Sequence, residues 1–200
     1  KRNLYYTTTV KSNFNFFQNL LRLDDLHENP VSSPISIPGI LSYKYRLVEK
    51  FEEHGQTISK IKIQARNTAT STLQGYIWVI DSLWLVQKID LTMKKGNLLV
   101  YDYFKIQQVY EHPGDSICVL NKQVLDYGVK YKRESSICKT TAIFSNYNFN
   151  PQFENKFFNS ELAVTEKEAY EKDSSYWENE RADQLSDEEI AFIIRQDSIR

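Results

Sequence analysis

The chain of 200 residues is poor in the residues that punctuate a fold and in those that react. It has six glycines, five prolines, two cysteines, three histidines and one methionine. So little Gly and Pro excludes low-complexity tracts and long linkers. No apolar run approaches the roughly 20 residues that cross a bilayer as a helix. Charge of one sign is not in excess: 25 Lys and Arg against 26 Asp and Glu leave a net charge of −1. Nucleic-acid binding loses its usual basis, a basic surface that displaces counterions, and no nucleic acid is expected as partner. No signal-peptide pattern opens the chain at Lys1, which is expected to be a mature or excised piece of something longer.

Reactive constellations are equally scarce. His27, His54 and His112 fall in expected loops, far apart, and none has zinc-ligand spacing. There is no Gly-x-Ser-x-Gly elbow, no phosphate-cradling glycine loop and no His-Glu-x-x-His. The acid pairs Asp24-Asp25 and Glu52-Glu53 suit turns or helix ends, and Asp187–Glu189 suits a helix N-terminus. No catalytic residue, metal or cofactor is expected. The basic residues of VKYKRESSICK, interleaved with apolar ones, fit an anion surface or, more cheaply, an outward strand face.

What is present is a globular composition, 41% apolar and 26% charged, with 13 tyrosines and 11 phenylalanines that favour strands. NLYYTTTV reads as a strand. SNFNFFQNLLRLDDL reads as a helix, capped by Ser12 or Asn13 and carrying Phe16, Phe17, Leu20, Leu21 and Leu23. After a proline-rich loop, a run of short segments broken by Gly, Asn and Asp predicts consecutive antiparallel hairpins. In ISKIKIQAR, Ile61, Ile63 and Ala65 oppose Lys60, Lys62 and Gln64. The tail turns helical and charged. There Ser186 and Glu189 form a capping box, and Trp177 is expected to pin the preceding segment to the body.

The stretch GYIWVIDSLWLVQKIDL, residues 75–91, bears large apolar residues on both sides of its pleat around a turn at Asp81-Ser82. A half-wet sheet alternates apolar and polar, so both faces are expected to be covered. Either the sheet lies between a helix and a loop or closes on itself, or it curves strongly around an apolar cavity. Cys118 and Cys138 each lie ten positions from Gly128. A reversal there would set them opposite for a disulfide worth about 3 kcal/mol; otherwise they are two buried thiols.

The succession from NPVSSPISIPGILSYKYRLVEKFEEHGQTISKIKIQAR through LQGYIWVIDSLWLVQKIDL, LLVYDYFKIQQVY and FSNYNFNPQF to DSSYWENERADQLSDEEIAFIIRQDSI resembles an uncharacterised family of large outer-membrane proteins of Bacteroidetes-type bacteria. Ala182 stands after Arg181, where that family usually has proline. The resemblance implies a carboxypeptidase-regulatory-like β-sandwich upstream, an outer-membrane β-barrel downstream, and a place in the periplasm of a Gram-negative bacterium. More distantly, the hairpins are similar to LolA- and LolB-like lipoprotein carriers. Those are half-barrels around a helical lid, and here Phe16, Phe17, Leu20 and Leu21 would supply the lid.

The expected fold class is therefore α+β: a strongly curved antiparallel sheet, a LolA-like half-barrel, covered by helices. The expected division is a curved β domain with an N-terminal helix over 1–160 and a helical tail over 161–200 leading toward a barrel. The expected function is non-enzymatic: binding a lipid or lipoprotein acyl chain or an envelope partner, with membrane contact only through that barrel. Tyr76, Trp78, Trp84, Val86, Tyr101, Tyr103 and Phe17 are the candidate ligand-binding residues. A structural spacer is the alternative, and a hydrolase a more remote one.

Overall fold

The computed structural model describes residues 12, 14–23, 26–67, 72–114, 117–131, 134–153, 172–181 and 184–198. The strand expected over NLYYTTTV lies outside them. The chain divides into two units, Lys1–Pro151 and Gln152–Arg200.

The first unit begins with a two-stranded pair, β1 (Leu20–Leu21) and β2 (Val31–Ser32), followed by a short helix α1 (Ile37–Ser42). Then come β3 (Tyr43–Glu53), β4 (Gln56–Ala65), β5 (Leu73–Ile80), β6 (Leu85–Met93), β7 (Tyr101–Gly114), β8 (Ile117–Tyr131) and β9 (Glu134–Ile143). These seven strands form one antiparallel sheet in chain order, as a run of hairpins should. The first hairpin turns on His54 and Gly55, both at positive φ (49° and 75°), the left-handed pair that a two-residue connection needs.

Alternation along the strands sorts the two faces. One cross-strand row reads Tyr45, Ile63, Gly75, Leu91, Ile106, Leu125 and Thr140; the next reads Arg46, Lys62, Tyr76, Asp90, Gln107, Val124 and Thr141. The first row belongs to an inner face whose core includes Ile77, Ile89, Phe104 and Tyr127. The second belongs to a largely polar outer face. Gly75, at φ 148°, lets the backbone carbonyl of Asp90 approach where a Cβ would stand 2.1 Å away.

The expected half-barrel under helices is not what forms. The sheet is open and not strongly curled, with β3 and β9 as edges. Its inner face is covered by described residues between Phe14 and Val31, which hold the short β1–β2 pair and no helix. Phe14, Phe16, Leu21 and Leu23 are buried while Phe17 and Leu20 are about half exposed. That is a local period of two, and it suits extended chain rather than a helix. The side chain of Asn15 accepts from the N–H of Phe17 at 3.0 Å, a local bond that competes with helix formation. The carbonyls of Ser12 and Phe14, which a helix would use internally, instead accept from Gln123 and Gln108 at 2.7 and 2.6 Å.

The expectation that both faces are covered is corrected as well. Trp78 on the outer face is only partly buried, and the ammonium groups of Lys60 and Lys88 lie 5.6 and 5.0 Å from its ring centre. Lysine stems, not a helix, screen the aromatics of β5.

In the second unit, α2 (Ser174–Glu180) and α3 (Asp187–Asp197) are described. The capping box forms as expected: the N–H of Ser186 donates to Glu189 Oε2 at 2.9 Å, and the N–H of Glu189 to Ser186 Oγ at 3.4 Å. Trp177 meets Tyr176 edge-on at 5.3 Å and keeps 43% of its surface exposed. Among the described residues no helix is long and apolar enough to cross a membrane.

Candidate functional site

The central strands carry two glutamines on a face otherwise apolar. In KIQQVY, alternation puts Gln108 inward between Ile106 and Tyr110, and Gln123 lies opposite it on β8. Both are buried, and a buried amide must find partners. Gln108 Nε2 donates to Gln123 Oε1 at 2.7 Å, and the hydroxyl of Tyr110 donates to Gln108 Oε1 at 2.5 Å. The remaining donor capacity holds the backbone at Ser12 and Phe14. This network fixes the N-terminal segment against the sheet and leaves a groove beside it.

The groove has a volume of about 570 Å³ and is lined by Ser12, Phe14, Asn15, Phe17, Tyr110, Cys118, Val119, Leu120, Gln123, Phe144 and Tyr147. Phe17 stands edge-on to Tyr110 with ring centres 5.5 Å apart. The chain after β9 closes the other side: the N–H of Phe144 donates to the carbonyl of Asn121 at 2.7 Å, and the hydroxyl of Tyr147 donates to that of Leu120. Among the described residues that line the groove there is no carboxylate, imidazole, ammonium or guanidinium. Burial pushes the Cys118 thiol up to about 11 and raises the Tyr110 phenol too, so both are neutral at ordinary pH. Such a groove can hold an apolar chain against a few neutral hydrogen-bonding groups. Its described lining brings no acid and base together.

The sequence candidates scatter. Of the seven, only Phe17 lines this groove. Val86 and Tyr101 belong to the filled inner core. Tyr76 and Trp78 share the outer face, their rings 6.1 Å apart. Tyr103 is also outside, lying over Gly128 and donating to Asp126 at 2.8 Å. Trp84 is not in a strand. It ends the turn after β5, at φ 56° and 82% exposed. It borders a smaller concavity of about 400 Å³ with Tyr45, Leu47, Ile61 and Val79, beside the Lys50–Asp81 ion pair at 2.6 Å. That pairing holds the Asp81 carboxyl below the usual range. Leu120, Phe144 and Tyr147 were not among the sequence candidates. The only signal for the last two was the aromatic run FSNYNF after the final strand.

The disulfide arrangement is overturned. The chain does not reverse at Gly128: β8 continues to Tyr131, and Cys138 pairs with Tyr127. Tyr127 lies nine residues further along β8 than Cys118, about 30 Å, far beyond bridging distance. Both cysteines are free. Gly128 serves packing instead, since a Cβ there would lie 2.4 Å from the Tyr103 ring. Among the described residues no three His, Cys, Asp or Glu side chains gather as a metal site.

No curated protein and no solved structure matches the chain. The model of one family of unknown function, DUF5686, matches residues 1–147, most of the chain and nearly all of the first unit, and the chain belongs to that family.

Proposed function

We propose that the chain is a non-enzymatic binding domain of a cell-envelope protein. In this reading it lies in the periplasm of a Gram-negative bacterium, between a β-sandwich and an outer-membrane barrel. It takes an apolar chain, a lipid or lipoprotein acyl group, into the groove between Phe17 and Tyr147. The envelope placement rests on the order of sequence motifs. The groove carries the binding role: about 570 Å³ of largely aromatic and aliphatic wall, with no acid–base pair among its described lining residues. The site is this open surface groove, since the rest of the inner face is packed against Phe14, Phe16, Leu21 and Leu23 of the covering segment.

A fluorescent fatty-acid probe tests the reading. It should bind with micromolar affinity, and Phe17→Glu, a change at a half-exposed position, should weaken uptake by about tenfold or more, the effect of placing a charge in an apolar site. No uptake by the native protein, or uptake indifferent to Phe17→Glu and Leu120→Glu, overturns it. The spacer role would then stand, which the filled core also suits.

A further inference from the structure

A second surface, sharing no residue with the groove, lies along the open edge of the sheet. β3 is the first of the seven strands, and no described strand pairs with its free side. Residues 44–50 are exposed without a break, so the backbone groups on that side are open to water. Such a row of unpaired N–H and C=O groups is a template for an added strand. A register shift between Leu47 and Glu49 bulges the edge at Val48. The bulge limits regular pairing to the stretch before it, Lys44–Leu47.

The two sides of that stretch differ. On the inner side, Tyr45 and Leu47 border the concavity of about 400 Å³, beside Ile61 and Val79 of the next two strands. Trp84 borders it from the turn after β5. Its backbone is held at φ 56°, a left-handed conformation that a side chain disfavours, while 82% of its surface is exposed. An indole that is neither buried nor at backbone ease does not serve packing, and strain of this kind collects at ligand contacts. On the outer side, Lys44 and Arg46 lie across from Gln64 and Lys62. Among the described residues neither Lys44 nor Arg46 has a carboxylate partner.

We infer that the Lys44–Leu47 edge captures an extended peptide segment of another protein, one in which large apolar side chains alternate with acidic ones. The peptide backbone pairs with β3. Its apolar side chains turn inward over Leu47 toward Trp84, and its carboxylates turn outward to Lys44 and Arg46. Side chains of a strand alternate between faces, and this edge is apolar on one face and cationic on the other. A second copy of the chain does not suit it. Antiparallel pairing centred on Tyr45 would set Arg46 against the other copy's Lys44, and like charges so opposed repel. A small apolar molecule would use the concavity but neither the open backbone nor the two cations.

Fluorescence anisotropy of the whole chain with a labelled Glu-Phe-Glu-Phe-Glu peptide, flanked by Gly-Ser, tests this. The peptide should bind with micromolar affinity, at least about tenfold more tightly than its counterparts with Lys for Glu or Ser for Phe. Arg46→Glu should weaken the acidic peptide about tenfold and strengthen the lysine peptide, a reversal that only charge pairing at this edge produces. Trp84→Gly should weaken the acidic peptide about tenfold as well. Both positions are exposed, and a thermal melt no lower than that of the native chain confirms that each variant is folded. Methylating alternate backbone nitrogens of the peptide, on the side that pairs, should abolish binding. Absence of binding, equal binding of the acidic and lysine peptides, or undiminished binding by Arg46→Glu or Trp84→Gly overturns the inference. Full binding of the methylated peptide overturns it too, and leaves a pocket for side chains alone. So does sedimentation of the native chain as a dimer that Leu47→Lys abolishes, which assigns the edge to a second copy.

Discussion

Gln108 and Gln123 face each other across β7 and β8, fully desolvated, joined amide to amide at 2.7 Å, and each holds one carbonyl of the segment laid over the sheet. Replacing Gln108 by Leu strands the Phe14 carbonyl, the Gln123 amide oxygen and the Tyr110 hydroxyl together. The expected cost is about 2–4 kcal/mol by urea unfolding. Faster proteolysis in the first twenty or so residues should accompany it, because the same bonds fix that segment. Gln108→Leu/Gln123→Leu should cost less than the sum of the two single changes, since one unmatched group is removed with its partner. Additive losses would mean that the two amides do not act as a unit.

Gly75 is irreplaceable for a backbone reason. Gly75→Ala sets a Cβ 2.1 Å from the Asp90 carbonyl at φ 148°, and the expected loss is at least about 3 kcal/mol. Gly96→Ala, with open space around the added methyl, should stay within about 0.5 kcal/mol. Thermal melts of the two variants side by side give the comparison.

The two tryptophans of the β5–β6 hairpin should behave in opposite ways. Trp84 holds a left-handed φ of 56° with 82% of its surface exposed. Trp84→Gly should leave stability unchanged or raise it by up to about 1 kcal/mol through relief of that backbone. Trp78→Ala removes a ring shared by Tyr76, Lys60 and Lys88 and should cost about 1–2 kcal/mol. A loss above about 2 kcal/mol for Trp84→Gly would show the ring to be part of the core.

Stability should fall in alkali. Burial pushes the Tyr43 phenol from 10.0 up to about 12. Below pH 10 the phenol is neutral folded and unfolded, and its contribution is complete. Between pH 10 and about 12 only the unfolded form ionises, so stability drops with rising pH, by about 3 kcal/mol at most. Tyr43→Phe loses the bonds to the Ser32 carbonyl and the Leu73 N–H and should be weaker at pH 8, with a shallower decline above pH 10. A decline as steep as that of the native chain would remove Tyr43 as a cause.

The thiols should titrate as two free groups, with no mass change on reduction. Cys118, pushed to about 11 by burial, should react with iodoacetamide at pH 8 far more slowly in the folded chain than in urea. A single intact disulfide in the untreated protein would contradict the strand register itself.

Much of the sheet was legible because strand alternation is a local property. Ile61 and Ile63 against Lys60 and Lys62 announced the two faces of β4, and the turn residues announced the order of the hairpins. Gly128 misled because a glycine that reverses the chain and one that makes room for a tyrosine ring look alike in sequence. Tyr76 and Trp78 misled because aromatics screened by lysines from two neighbouring strands look the same as aromatics buried in a core. The groove was nearly illegible: Phe17, Leu120 and Tyr147 come from three separated segments, and only the fold brings them together.

By itself, the order of residues determined the strands, their antiparallel succession and the capping box at Ser186, since each depends on neighbours a few positions apart. Only the tertiary structure decided that the N-terminal segment is extended rather than helical. Gln108 and Gln123, distant in the chain, claim the carbonyls a helix would have used, and bonds to buried partners prevail over local propensity.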